Sequence, residues 1–360
     1  MSLYRQTIIR TYKMKKCFYV VLTGLIFLST NQFADEIKTD HQRAVLITGA
    51  SAGLGRVTAE HLAKEGYFVY AGARKEKDIA ALNKIDNVKA IKLDVTKQDQ
   101  IDEAVAIIQS EKRGLWGIVN NAGVFNQKPL FVTDIDDFEF QFGVNVFGVF
   151  RVTKAFTPMI LESKGRIINI SSISGFMSMD TVGVYAATKH AVEAMTDSLA
   201  LELQPFGVHV AAINPGNFKT KSSAVRCQKI IDDKESNWGI LEKRRLDMVE
   251  YCRESLASEK KEDNRPPILV AKAVEQALFE DNPRKRYLVA SQIGAGQTIA
   301  WAIEEILALN NGHEQSYSRD ELVQLIDILW PYMSGEKQWE SQDAAWEVQD
   351  AWALRELKQQ

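Results

Sequence analysis

Cysteine is scarce in this sequence: Cys17, Cys227 and Cys252 are the only three in 360 residues, too few for a disulfide framework. No cysteine pair has zinc-ligand spacing and the five histidines are scattered, so no metal site is expected. An excess of one charge is also lacking. Forty-four basic residues against 47 acidic ones leave a net charge of −3, with both signs spread along the chain. That balance offers no general electrostatic footprint for nucleic acid. Apolar residues at 46% and charged residues at 25% are ordinary globular values, which excludes a disordered or wholly membrane-embedded chain.

The N-terminal apolar run, residues 17–28 (CFYVVLTGLIFL), is too short for a comfortable bilayer span. Lys13, Lys15 and Lys16 precede it, and a polar stretch ending in Ala34-Asp35 follows. This pattern reads either as a secretory signal with Met14 as its start or as an uncleaved hydrophobic anchor. Gln32 sits where a small residue would favour cleavage after Ala34. Export or membrane contact through residues 1–40 is the expectation, with a cytoplasmic location as the alternative, and those residues are set aside from the fold.

From Ala44 onward, strands and helices alternate. Short apolar, β-branched runs at residues 44–48, 67–71, 88–93, 117–120, 165–170 and 208–213 read as strands. Helical spacing falls between them, at 54–65, 98–110, 137–161 and 185–204, and Gly66 stops the first helix. Such alternation implies right-handed crossovers and a doubly wound parallel sheet, an α/β fold with helices on both faces. Ligands in such sheets bind beyond the carboxyl ends of the strands.

The turn Thr48-Gly49-Ala50-Ser51-Ala52-Gly53-Leu54-Gly55 joins the first strand to the first helix. Glycines there permit a tight turn and let the backbone approach a pyrophosphate at the helix N-terminus. At the end of the second strand an NAD-binding chain usually carries an acid for the ribose 2′-hydroxyl. Here the residues are Ala73-Arg74. A guanidinium can pair with a 2′-phosphate, so NADP(H) is favoured over NAD(H).

Tyr185 and Lys189 are four apart at the start of a predicted helix, on one face and one turn from each other. A free phenol, with a pKa of about 10, is a poor base near neutrality, and a neighbouring ammonium favours its ionised form. Ser171-Ser172 follows the fifth strand, thirteen residues before the tyrosine counting from Ser172. Asn120-Asn121-Ala122-Gly123 follows the fourth strand, Asn145 lies in the next helix, and Pro215-Gly216-Asn217-Phe218-Lys219-Thr220 follows the sixth. With the glycine turn and Asp94-Val95, this order resembles the short-chain dehydrogenase/reductase family over residues 43–290. Residues 114–123 and 215–218 look like the branch of retinol, hydroxysteroid and β-hydroxybutyrate dehydrogenases.

The resemblance implies an oxidoreductase interconverting a hydroxyl and a carbonyl. Tyr185 would exchange the proton with the substrate oxygen and Ser172, rather than its neighbour Ser171, would hydrogen-bond that oxygen. Lys189 would lower the tyrosine pKa and, with Tyr185, border the nicotinamide ribose. Asn145 would hold a water linking that lysine to solvent. Asp94 would contact the adenine, with a turn role before Thr96 as its alternative. Asn121 would secure the central strand and Thr220 the carboxamide. The glycine turn (Gly49, Ser51, Gly53, Leu54, Gly55) with Val95, Ala122, Gly123, Pro215 and Gly216 would line the cofactor. A dinucleotide-binding sensor or scaffold without turnover is the competing reading.

Phe125 and residues 176–179 (FMSM) suggest an apolar substrate wall, or simply core packing. The loops bearing them have no arginine cluster, which favours a lipophilic substrate over a small anionic one. Residues 222–265 read as a lid of one or two amphipathic helices. Beyond residue 290 a helical extension is expected: Ile299, Ala302, Ile303, Ile306 and Leu307 share a face, and Ser318 with Glu321 forms a capping-box pattern before a helix ended by Pro331. These helices would cover the catalytic domain or join copies of the chain, and a homo-oligomer is expected. Trp339, Trp346 and Trp352 lie in a polar tail.

Overall fold

The computed structural model describes residues 43–218, 221–234, 236–257, 265–311 and 317–333. The N-terminal apolar run and the three tail tryptophans lie outside them. Seven parallel strands form one sheet in the order β3-β2-β1-β4-β5-β6-β7. They are β1 (Ala44–Ile47), β2 (Phe68–Ala73), β3 (Val88–Lys92), β4 (Gly117–Asn120), β5 (Arg166–Ile170), β6 (His209–Pro215) and β7 (Arg286–Val289). Chain order reverses between β1 and β4, with Val45 beside Gly117 and Ile47 beside Val119. A crevice at that reversal is where such sheets bind ligands.

Burial on both faces explains the near-continuous apolar strands. Val45 and Ile47 face one core with Leu62, Val119, Ile168, Ile213, Val274 and Leu278. It lies beneath α1 (Gly53–Lys64) and a later helix (Ile268–Phe279). Leu46, between them in sequence, joins the opposite core with Ile101, Ile108, Ile118, Phe156, Ile160 and Ile167. Full burial of each such side chain stabilises the fold by about 1.5–3 kcal/mol.

Two helical segments depart from the sequence pattern. Residues 74–78 open a short helix, α2 (Glu76–Leu82), whose only buried residue is Leu82. With no apolar stripe it left no periodic signal. After α3 (Gln98–Ser110) the single helix expected at 137–161 is three segments: α4 (Ile135–Phe142), a π-helical stretch (Gly143–Gly148) and α5 (Val149–Ser163). By length and composition the span Ile135–Ser163 could cross a membrane, but 56% of its most apolar window is buried inside the fold. Next come α6 (Gly183–Leu203), α7 (Lys221–Asp232), α8 (Glu242–Ala257) and α9 (Ile268–Phe279). In the lid region α7 and α8 bury Cys227 and Cys252, and Trp238 between them is also buried.

The chain divides into two compact units, one up to Thr298 and one from Ile299 onward. The division falls within α10 (Gln292–Asn311), which α11 (Arg319–Met333) follows. In the second unit Asn310 brackets Tyr317 with two hydrogen bonds of 2.7 and 2.9 Å. The capping box forms: the Ser318 N–H donates to Glu321 Oε2 at 2.8 Å, and the Glu321 N–H to Ser318 Oγ at 3.3 Å. Contrary to the sequence reading, Pro331 does not end the helix, which runs to Met333. Ile299, Ile303, Ile306 and Leu307 are all exposed.

Candidate active site

At the chain reversal, the glycine turn is held by the loop after β4. Thr48 Oγ1 accepts from the N–H groups of Asn121 and Ala122, each at 3.0 Å. The Asn121 amide donates back to the carbonyls of Thr48 and Gly49 at 2.8 and 3.2 Å. Gly49 has φ +65°, and a Cβ there would lie 2.8 Å from Ala122 Cα, so glycine is required twice over. A Cβ at Gly55 would collide with the Asn121 amide. Gly53, at φ +59°, opens α1, and its N-cap Ala52 offers no side-chain hydrogen bond. The first-turn N–H groups are thus not capped by that side chain, as an anion-binding helix terminus needs. Ser51 is half-buried and Leu54 packs against the core beside them. These residues fit a dinucleotide's pyrophosphate.

Arg74 extends from the end of β2 with 60% of its side chain exposed, 3.9 Å from Asp94 Oδ2. Asp94 does perform a turn role: its Oδ1 accepts from the Thr96 N–H at 3.0 Å and the Thr96 hydroxyl at 2.7 Å. Val95 is buried, and a Cβ on Gly148 would press into its side chain, which accounts for that glycine.

Ser172, Tyr185 and Lys189 converge beyond the ends of β4 and β5. Ser172 caps a short turn by accepting from the Ser174 N–H at 3.1 Å. Its side chain also hydrogen-bonds Tyr185, which favours the phenolate. Ser171 Oγ instead lies near the positions of Gly175 and Glu193 and has no hydrogen-bond partner. The Lys189 ammonium is 5.6 Å from the centre of the Tyr185 ring and donates to the Ile170 carbonyl at 2.8 Å. Burial pushes Tyr185 above the ordinary phenol value, partly opposed by the Ser172 hydrogen bond and the Arg226 charge. Burial likewise lowers Lys189 to about 8 while Glu193 pulls it up. For Tyr185 desolvation thus leads, and the groups that oppose it are Ser172 and Arg226 rather than Lys189.

Asn145 lies in the π-helical stretch, a feature frequent at functional sites. It accepts from the Val124 N–H at 2.8 Å and donates to the Val124 carbonyl at 2.9 Å and to Thr188 Oγ1 at 3.1 Å. Gly123 lies between Asn145 and Lys189: a Cβ there would stand 3.4 Å from Asn145 Oδ1 and 4.0 Å from Lys189 Nζ. Pro215 ends β6, and the Gly216 N–H donates to the Val289 carbonyl at 2.9 Å. Thr220 lies outside the described residues.

A supporting layer escaped the sequence reading. Glu193, one turn beyond Lys189, accepts from Asn214 at 2.5 Å and from Arg286 at 2.9 Å. Asn214 also donates to the Ser172 carbonyl at 3.3 Å, and Arg286 donates to Asp197 at 2.7 Å. Ser172 is thus tied to this network by a hydrogen bond, and Lys189 feels it through the charge of Glu193. Of the apolar wall, Phe125 lies 4.4 Å from the Tyr185 ring centre to centre. Met177 is buried, accepting a contact from Thr298, and Phe176 lies under Arg286, so these two pack within the fold. Met179 is exposed. Arg244 of α8 pairs with Asp180 at 2.5 Å, joining the lid to that loop.

A family model described as short chain dehydrogenase matches residues 43–230, more than half of the chain. Bovine (Bos taurus) mitochondrial D-beta-hydroxybutyrate dehydrogenase is 38% identical over 201 residues, 53% of this chain and 58% of that protein. The chain thus spans about three-fifths of the length of the first curated relatives it matches. Estradiol 17-beta-dehydrogenase 2 of Mus musculus is 33% identical over 284 residues, 73% of this chain and 71% of that protein. Among solved structures, a short-chain dehydrogenase from Streptomyces avermitilis superposes with a TM-score of 0.61 at 27% identity, covering 80% of this chain and 97% of that one. ElxO with NADP bound gives 0.56 at 26% identity, covering 69% and 96%. By its sheet order, its glycine turn and these matches, the chain belongs to the short-chain dehydrogenase family.

Proposed function

We propose that the chain is an NADP(H)-dependent oxidoreductase that interconverts a hydroxyl and a carbonyl on a lipophilic substrate. The observation behind it is the convergence of Ser172, Tyr185 and Lys189 at the switch point of the sheet, beside a turn shaped for a dinucleotide. Gly49, Ser51, Gly53, Leu54 and Gly55 hold the pyrophosphate, Asp94 and Val95 border the adenine, and Asn121, Ala122, Gly123, Pro215 and Gly216 line the nicotinamide side. Arg74, with no carboxylate in its place, receives the 2′-phosphate. A bound nicotinamide supplies the hydride exchange with substrate carbon.

In the reducing direction Tyr185 gives its proton to the substrate oxygen; burial keeps the phenol protonated until it is needed. The Ser172 hydroxyl donates to the same oxygen and stabilises the charge developing there. Lys189 returns the proton through water held by Asn145. Phe125 forms an apolar wall beside Tyr185, and α7 and α8 close over it as the lid. Exposed Phe147 and Phe150 support a homo-oligomer that covers them. The N-terminal segment supports export or anchoring.

Nicotinamide fluorescence tests the reading: NADPH binds residues 35–360 more tightly than NADH, and NADPH reduces apolar ketones or aldehydes. Tighter NADH binding would overturn the cofactor assignment; binding of neither would favour the scaffold reading.

A further inference from the structure

Arg226 projects from the lid helix α7 toward the proposed reaction centre. Its guanidinium carbon lies 4.7 Å from the centre of the Phe125 ring, and the same ring lies 4.4 Å from that of Tyr185. Its Nε is buried and has no hydrogen-bond partner. The arginines of α8 behave differently. Arg244 pairs with Asp180, Arg245 with Glu242 and Arg253 with Glu250. Among the described residues no carboxylate lies within ion-pairing distance of Arg226, although its charge is felt at Tyr185. A guanidinium partly withdrawn from water and left without an anion is costly, so it is shaped to receive one. Its fork matches a carboxylate with two parallel hydrogen bonds.

We infer that Arg226 is a substrate-binding residue that receives a carboxylate set a few bonds from the reacting carbon, making the substrate an oxo or hydroxy acid with an apolar remainder. This rests on the oxidoreductase reading above and deepens it. Residue spacing carries no hint of it, because the cation reaches the site from the lid and not from the loops bearing Phe125 and Met179. A phosphate of the cofactor is the other anion within the fold's repertoire. The position of Arg226 over Phe125, whose ring neighbours Tyr185, assigns it to the substrate.

The test compares the wild type, Arg226→Gln and Arg226→Lys in oxidising 3-hydroxyoctanoate and its methyl ester with NADP+ or NAD+. Loss of a charge-assisted pair lowers kcat/KM for the acid about 10- to 100-fold in Arg226→Gln, mostly through KM, and leaves the ester within about twofold. Arg226→Lys keeps the charge without the fork and falls between. Cofactor affinity stays unchanged in both variants. Octanoate, which cannot react, raises the melting temperature of the cofactor-loaded wild type and not of Arg226→Gln. Equal losses on acid and ester, weakened cofactor binding, or equal octanoate shifts in wild type and variant would each overturn the inference. If neither probe is oxidised but the octanoate shift is present and depends on Arg226, the anion site stands and the oxidoreductase reading fails. No octanoate shift in the wild type overturns the anion site itself.

Discussion

The two halves of the sheet hold their functional groups in different ways. On the β1–β3 side the turn is built from backbone: Gly49 presses on Ala122, and Asn121 ties the carbonyls of Thr48 and Gly49. On the β4–β7 side the reactive groups are side chains fixed by other buried side chains. Lys189 sits one turn from Glu193, which binds both Asn214 and Arg286. The first half is rigid because there is no room for a Cβ. The second is held by a buried polar network, and such networks fail when one member is removed.

The largest expected effect lies in the second half. Burial holds Lys189 at about 8 against an ordinary 10.5, so between those values the folded state binds fewer protons than the unfolded one. Stability then rises with pH across that window; the cost is complete below pH 8 and gone above 10.5. Lys189→Met removes this dependence. Denaturant titrations should show wild type gaining on the variant by about 3 kcal/mol between pH 7 and pH 10.5. A constant gap would mean that the lysine is not desolvated in solution.

Glu193→Gln comes next. It leaves the Arg286 charge short of a partner, and with Arg286 31% exposed the loss should be about 2–3 kcal/mol, below that of a wholly buried pair. Thermal melting measures it, and turnover should fall as Ser172 and Lys189 loosen. In the backbone-built half, Gly49→Ala should destabilise by about 1–3 kcal/mol through strain at positive φ and contact with Ala122, and weaken cofactor binding. Stability unaffected by that change would refute the close approach. The smallest effect falls at Arg74, which is mostly exposed. Arg74→Ala should weaken NADPH binding about tenfold and leave NADH unchanged, measured by fluorescence titration.

This contrast also explains what could be read from the sequence. Glycines at Gly49, Gly53 and Gly55 mark a local backbone need and stand within eight residues of one strand, so the turn and the parallel sheet were legible. Tyr185 and Lys189 were legible because helical spacing and the resemblance agreed. Glu193, Asn214 and Arg286 were not, since Glu193 and Arg286 stand 93 positions apart and meet only once the chain between them has folded. The π-helical turn at Asn145 and the short α2 left no periodic trace. Arg226 has no motif or spacing that marks it in the sequence, and only its position over Phe125 distinguishes it.

The central claim is that Tyr185 transfers the proton. A single-turnover measurement with Tyr185→Phe, loaded with NADPH and mixed with a carbonyl substrate turned over by the wild type, tests it most directly. The account predicts cofactor affinity within about twofold of wild type and a rate of nicotinamide oxidation lower by about 10²- to 10⁴-fold, the usual range for a lost general acid. Oxidation of bound NADPH at the wild-type rate would contradict it.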